Sequence, residues 1–130
     1  MKNTLRVCTG MLLPLVLVTI MQDAVALGLG NASVDSYLNE PLRARISLTN
    51  RADEDLSALE VGLASADDFA LIGASLEAIP VPLSFSVKQE PEGSYILVSS
   101  GLPVRDPVIR LIVEVNWANG RMLREYTLFL

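Results

Sequence analysis

Residues 109–130 alternate large apolar with polar side chains on both sides of Asn119 and Gly120. A period of two predicts half-buried β-strands. An Asn-Gly dipeptide between two such runs predicts a tight hairpin turn in which both residues have positive φ. A two-residue loop at Asn119 and Gly120 sets five pairs of side chains opposite one another: Trp117–Met122, Val115–Arg124, Val113–Tyr126, Leu111–Leu128 and Ile109–Leu130.

The register of this hairpin follows from the separation of its two faces. Nine of the ten paired side chains have large apolar bodies, so one face is apolar and the other is mixed but more polar. A three-residue loop would set Val113 opposite Glu125 and mix the faces, so we predict the two-residue loop. The exception on the apolar face is Arg124, whose guanidinium we expect to reach solvent or a backbone carbonyl near the end of the core.

Shorter alternating runs predict further strands upstream of this hairpin. The clearest run, residues 42–49, turns four apolar side chains to one face: Leu42, Ala44, Ile46 and Leu48. Residues 59–63 predict another strand, and residues 83–99 predict a second hairpin. One more strand is expected within residues 30–38.

Turn-forming residues separate these runs. Residues 90–93 (EPEG) predict the turn of the second hairpin, and residues 50–55 (NRADED) predict a solvated turn. The segment 101–107 contains two prolines, which predict a loop and not a sheet interior. Gly28 and Gly30 predict a flexible entry to the domain more than a cradle for a cofactor, because a lone G-x-G is a weak signal.

One stretch departs from the β pattern. Ser65 and Asp68 have the spacing of a capping box, in which each side chain bonds the backbone amide of the other residue. Residues 66–72 then support about two helical turns, which Gly73 ends.

About seven strands at short spacing, with one short connecting helix near residues 66–72, predict an all-β fold. The expected architecture is an antiparallel β-sandwich of immunoglobulin-like type, and a small barrel is the alternative. The cysteine pair of antibody domains is absent, and Trp117 alone does not define the topology.

The first 26 residues have the composition of a cleavable signal peptide. Lys2 and Arg6 supply a basic start, residues 11–21 supply an apolar core, and residues 24–26 (AVA) supply a cleavage site. The apolar core is shorter than the ~20 residues that span a bilayer, so cleavage is favoured over a permanent N-terminal anchor. The sequence therefore predicts export to the periplasm and a signal peptide at residues 1–26.

The expected mature chain, residues 27–130, has room for a single β-sandwich domain. It keeps eight of the ten basic and fourteen of the fifteen acidic residues, which gives a net charge of −6. Such an acidic chain without a basic cluster argues against nucleic acid or anionic lipid as a partner. Cys8, the one cysteine, precedes the apolar core of the leader, so it is not placed to anchor a lipoprotein.

The chain lacks the residues of common active sites. Without histidine, and without cysteine after residue 26, it has no ordinary nucleophilic triad and no zinc site of usual composition. The acidic cluster 53–55 lacks the spacing of a calcium loop and predicts a solvated turn, while Asp67 and Asp68 fit a helix N-terminus. We expect no enzyme activity, no catalytic residues, no cofactor and no metal. Four aromatic residues are expected in half-buried sheet positions: Phe85, Tyr95, Trp117 and Tyr126.

Several segments of the chain together resemble a known family. They are residues 27–30 (LGLG), 37–44 (YLNEPLRA), 63–65 (LAS) and 113–127 (VEVNWANGRMLREYT). In this order they resemble the N-terminal periplasmic domain of the FimV family, bacterial inner-membrane proteins of type IV pilus assembly and polar organisation. The string at 113–127 is the specific part. Members that resemble this chain usually continue into a peptidoglycan-binding LysM domain, a transmembrane helix and an acidic cytoplasmic region.

The resemblance implies a non-catalytic periplasmic interaction module of a type IV pilus or cell-pole system. Its expected partners are other periplasmic or inner-membrane pilus-assembly proteins, bound by protein–protein contact through a surface such as a sheet edge that accepts a strand. The alternative is a peptidoglycan- or carbohydrate-binding β-domain, although the resemblance assigns wall binding to the LysM domain. A third hypothesis, a hydrolase that uses carboxylates alone, requires a cleft with two spaced acids.

Overall fold

The computed structural model describes residues 27–50, 55–118 and 120–130. The predicted signal peptide, most of the predicted turn at 50–55, and Asn119 lie outside the described residues. Two single 3-10 turns, Leu56–Ala58 and Leu76–Ala78, accompany eight longer elements. In chain order these are β1 (Gly28–Val34), β2 (Pro41–Thr49), β3 (Glu60–Leu63), α1 (Ala66–Leu71), β4 (Leu83–Glu90), β5 (Gly93–Pro103), β6 (Val108–Trp117) and β7 (Gly120–Phe129).

The seven strands form two antiparallel sheets. One has the order β1-β2-β5-β4 and the other the order β3-β6-β7. These are the orders A-B-E-D and C-F-G of a constant-type immunoglobulin domain. The predicted sandwich is therefore confirmed, and the barrel alternative is wrong because the strands close into two separate sheets.

The core lies between the inner faces of the sheets. β2 follows the predicted alternation, with every second residue from Leu42 to Leu48 buried. α1 contributes one buried side chain, Phe69, which is fully inaccessible to solvent. The largest fully buried side chains come from both sheets and the helix: Phe69, Leu42, Ile46, Ile96, Leu111, Leu128, Val98, Val104, Val113 and Val115.

The capping box at the start of α1 is confirmed. The Ser65 hydroxyl accepts from the Asp68 amide at 3.2 Å, and the Asp68 carboxylate accepts from the Ser65 amide at 3.3 Å. The helix ends at Leu71, and Gly73 follows with a φ of 71°. The local signals thus predicted both ends of the helix to within one residue.

The closing hairpin has the predicted faces but not the predicted register. Its pairs are shifted by two residues, so that Val115 lies opposite Met122 and Val113 opposite Arg124. A shift of two residues preserves the face of every side chain, so separation of the faces does not distinguish the two registers. The predicted pairing was therefore wrong.

Gly120 has a different role from the predicted one. It pairs with Trp117 as the first residue of β7, and its φ is not positive. A Cβ at this position would lie 3.3 Å from Cζ2 of the Trp117 ring. Close approach of the indole, and not positive φ, therefore accounts for glycine at residue 120.

Two further predictions were wrong. The segment 101–107 is not wholly a loop, because β5 continues to Pro103, which pairs with Pro41 at the start of β2. The glycines near residue 28 are not a flexible entry but part of β1, where Gly28 pairs with Thr49. A Cβ at residue 30 would lie only 2.0 Å from the Ser47 hydroxyl oxygen, so the close approach of Ser47 favours glycine there.

A bulge in β1 joins the two sheets at one edge. The pairing of β1 with β2 shifts between Leu29 and Ala32. At the bulge, the Arg124 guanidinium donates to the Leu29 carbonyl and the Tyr126 hydroxyl donates to the Gly30 carbonyl at 2.8 Å. The expectation that Arg124 reaches a carbonyl is confirmed. Burial raises the pKa of Tyr126 above its ordinary value, which favours the protonated hydroxyl that donates this bond.

Candidate interaction surface

Large apolar side chains are exposed mainly on one face of the sandwich. Eight of them are well exposed in the described residues, and five lie on the outer side of the β6–β7 hairpin or on the adjoining end of α1. We call these five the apolar face: Leu71, Ile72, Val108, Leu123 and Phe129. Leu71 is 86% exposed and Phe129 is 70% exposed. Clustered exposure of this kind marks interaction sites, since single exposed apolar residues are ordinary but grouped ones are not.

The apolar face contains a shallow groove of about 220 Å³. Its floor is Ile112, which is only 4% exposed, and its walls are Leu71 and Ile72 on one side and Leu123 on the other. α1 creates this groove, because the helix lies beside the outer face of β6 while Phe69 fixes it to the core. A second depression lies farther along β6, where Val108 and the Arg110 side chain meet residues 73–78.

An ion pair divides the apolar face into two parts, with Val108 and Phe129 on one side and the residues of the groove on the other. The Arg110 guanidinium contacts a Glu125 carboxylate oxygen at 2.7 Å, through Nη2, and at 3.0 Å, through Nε. Both side chains remain substantially exposed, at 47% and 40%. Exposed pairs add little to stability, so this pair is available to contact a partner.

A second group of charges connects α1 to β6 and β7. Arg121 donates to Asp68 at 2.7 Å and to Glu114 at 2.8 Å, and Asn116 donates to Glu114 at 2.5 Å. The Ser65 hydroxyl and then Arg121 hold the pKa of Asp68 below its ordinary value. Arg121 and Asn116 do the same for the pKa of Glu114. The group sets the position of α1 beside the groove.

Acidification should loosen this group. Depressed pKa values contribute stability above the unfolded-state values of 3.8 for Asp68 and 4.5 for Glu114. That contribution is lost as the pH falls through the lower folded-state values. We expect Arg121→Gln to reduce the fall in unfolding free energy when urea titrations are repeated from about pH 5 down to about pH 2.5. Arg105→Gln is the control, and an equal pH profile in both variants would contradict the prediction.

Several polar side chains of the distinctive string at 113–127 are bonded to other residues of the domain. Arg121 bonds α1 and β6, Arg124 and Tyr126 bond β1, and Glu125 bonds Arg110. These contacts explain why the string specifies a fold.

In the described part of the chain, the acidic residues do not gather into a metal site. No group of three or more His, Cys, Asp or Glu side chains there is placed to hold a metal ion. Asp55 accepts bonds from the Ser57 amide at 3.0 Å and from its hydroxyl at 2.5 Å, which caps a 3-10 turn. Residues 53 and 54, the rest of the candidate calcium cluster, lie outside the described residues. Asp67 lies in the first turn of α1, as the sequence predicts.

The three other exposed apolar side chains lie at one end of the sandwich, where Tyr37 and Leu38 precede β2 and Leu102 lies near the end of β5. The turn there is firmly bonded, because Asn39 donates to the Val104 carbonyl at 2.7 Å and has a φ of 67°. This end is separate from the apolar face and supplies control positions for its study.

The four aromatic residues predicted in the sheets are buried or half-buried. The Tyr95 ring is contacted by the Arg45 guanidinium at 5.5 Å, and its hydroxyl donates to Glu90 at 3.1 Å. The hydroxyl of Tyr95 is thus bonded within the chain, and the Arg45 guanidinium occupies one side of the ring.

A model of the FimV N-terminal domain, described as an Ig-like domain, matches residues 27–130. The chain belongs to the FimV N-terminal domain family. The same immunoglobulin-like description agrees with the strand orders of the two sheets.

Two curated relatives of this FimV-family chain are each named motility hub protein FimV, from the PAO1 and UCBPP-PA14 strains of Pseudomonas aeruginosa. Each is 39% identical over 108 residues, which cover 82% of this chain and 12% of the relative. The chain therefore corresponds to about an eighth of the length of those proteins. No solved structure gives a significant match.

Within the described part of this FimV-family chain, the structure contains no helix of the length and apolarity needed to cross a bilayer. The sequence did not predict the apolar face. A signal was present, because Ile112, Leu123 and Phe129 are apolar residues on the more polar side of the hairpin. That Leu71 joins them depends on where α1 packs, which no local pattern specifies.

Proposed function

We propose that the chain is a non-catalytic, periplasmic protein-interaction module of a type IV pilus assembly or cell-pole organising system. The observation that carries the proposal is the apolar face, where five large side chains are exposed on one surface of a domain with a well-buried core. Membership of the FimV family, and the name motility hub protein borne by its relatives, support the motility system as the setting.

The proposed partners are periplasmic or inner-membrane proteins of that system. Interfaces between proteins have an apolar centre surrounded by polar groups, and the groove over Ile112 has this composition, with Asp68 and Glu125 at its rim. Residues with many bonds inside the domain, such as Arg121, are not expected to be contact residues themselves.

Export is part of the proposal. The N-terminal leader supports it, because residues 11–21 and the AVA site at 24–26 have the pattern that signal peptidase recognises. N-terminal sequencing of the chain recovered from the periplasm should begin at Leu27. A chain that stays in the cytoplasm with Met1 intact would contradict it.

Charged substitutions on the apolar face should impair motility. Leu71→Glu and Leu123→Glu place a carboxylate where a partner's apolar surface would bind, at positions exposed enough to leave the core intact. In the host bacterium, with the gene replaced at its own locus, we expect at least a tenfold loss of partner affinity and reduced twitching zones. Leu102→Glu, which alters an exposed leucine away from the face, should leave motility unchanged.

The readouts of this experiment are twitching area, the fraction of cells with a polar marker, and the amount of the protein in the periplasm. Normal twitching and normal pole markers in both face variants would overturn the proposal. Retention of residues 27–130 on purified sacculi, unchanged by the face substitutions, would favour the peptidoglycan-binding alternative instead.

A further inference from the structure

We propose that the apolar face is a self-association surface, on which a second copy of this chain docks with its strands antiparallel to those of the first. This inference rests on the proposed function, because it names one partner of the same surface. It is argued from the order of apolar and charged groups along β6 and β7.

The face has apolar groups at both ends and an ion pair between them. At one end Val108 lies opposite Phe129, and at the other Leu123 lies beside the groove. Arg110 and Glu125 occupy the intervening positions and contact each other at 2.7 Å. Read from either end, the order is therefore apolar, charged, apolar.

Such an order is complementary to itself under a two-fold rotation. A two-fold axis that lies in the interface, perpendicular to the strands, turns the face over and reverses the strand direction. It sets Leu123 and Leu71 of one copy against Phe129 of the other, and the same contact forms again at the opposite end. An axis through the centre of the face passes close to the Arg110–Glu125 pair.

The charges on the face fit the same arrangement. The rotation brings Arg110 of each copy toward Glu125 of the other, so that two intramolecular pairs become one alternating group of four charges. The expected mature chain has a net charge of −6, which disfavours close approach of two copies elsewhere. At the centre of the apolar face that repulsion is cancelled locally, because Arg110 neutralises Glu125.

The size of the face indicates a weak dimer. A stable interface buries about 800 Å² on each partner, and only two of the five side chains of the apolar face, Leu71 and Phe129, are more than half exposed. Leu71 and Phe129, the most exposed of the five, would supply the apolar contacts at the two ends of the interface. We therefore expect a dissociation constant in the micromolar range.

Sedimentation velocity tests the association directly. The exported form, residues 27–130, contains the whole described core, and we expect it to change from monomer to dimer between about 1 µM and about 1 mM. Leu71→Glu and Phe129→Glu should each weaken the dimer at least tenfold. Leu102→Glu is the matched control and should leave the dimer unchanged. Thermal unfolding of each variant shows that the fold is retained.

Reversing the charge of Arg110 or of Glu125 distinguishes ion pairs between two copies from the ion pair within one copy. Arg110→Glu and Glu125→Arg each break the internal pair and place like charges against each other in a homodimer. We expect each variant alone to be monomeric. Mixed in equal amounts, the two should form a heterodimer, because every contact between copies then joins opposite charges.

A wild-type chain that remains monomeric at millimolar concentration would overturn the self-association, as would a mixture of the two charge variants that stays monomeric. These results would leave the proposed function intact, because the motility assay depends on binding of any partner to the apolar face and not only on self-association. Conversely, a dimer whose face variants twitch normally would overturn the proposed function and leave the self-association intact.

Discussion

Replacing Phe69 by alanine should destabilise the domain by about 3–5 kcal/mol, the usual cost of removing a buried phenylalanine. Phe69 is the one buried residue of α1 and is fully inaccessible to solvent. Its loss leaves a cavity and also releases the helix that forms one wall of the groove. Urea unfolding followed by circular dichroism measures the change, which is a large fraction of the stability of a domain of this size.

The matched control is Leu71→Ala, two residues farther along the same helix. Leu71 is 86% exposed, so its truncation should change the free energy of unfolding by less than about 0.5 kcal/mol. Leu71→Ala should nevertheless weaken self-association, whereas Phe69→Ala should weaken both self-association and the stability of the fold. Equal stabilities for the two variants would show that α1 is not fixed through Phe69.

A disulfide between residues 110 and 127 should raise the stability of the oxidised chain by about 3 kcal/mol, the value expected for a loop of roughly 15 residues. Arg110 and Thr127 are directly opposite in the β6–β7 pairing and lie on its outer face. The expected mature chain has no other cysteine to compete. Comparing urea unfolding of the Arg110→Cys/Thr127→Cys variant with and without reductant measures the gain.

The control for this experiment uses the register predicted from the sequence. In that register Arg110 would lie opposite Phe129. In the structure Phe129 lies opposite Val108, so Arg110 and Phe129 are diagonal neighbours. Diagonal positions are about 7–8 Å apart, which is beyond the reach of an unstrained disulfide. Arg110→Cys/Phe129→Cys should therefore oxidise slowly and gain little. Ready oxidation of this variant, and not of the other, would contradict the observed register.

The fold was largely predictable because its signals are local. The alternation at Leu42–Leu48 fixed which side chains of β2 are buried, and the spacing of Ser65 and Asp68 fixed the start of α1. The hairpin register was not predictable by the same argument. A slip of two residues leaves every side chain on its own face, so only contacts such as that of the Trp117 ring with Gly120 distinguish the alternatives.

The candidate surface was less predictable than the fold. Leu123 and Phe129 were visible in the sequence as apolar residues on a polar face, and a strand edge was the expected means of binding. The structure instead points to a sheet face, because the bulge of β1 brings the Leu29 and Gly30 carbonyls against β7 and occupies part of that edge.

The sequence by itself determined the fold class, the family and the face of each strand that is buried, because periodicity, capping and turn residues act over a few neighbouring positions. The tertiary structure decided which residues meet across long separations. Phe69 fixes α1 beside β6, and Arg121 of β7 bonds Asp68 of α1, which is 53 positions away in the chain. These contacts bring Leu71 beside Leu123. Contacts of this kind depend on packing of the whole chain, and the apolar face exists only because of them.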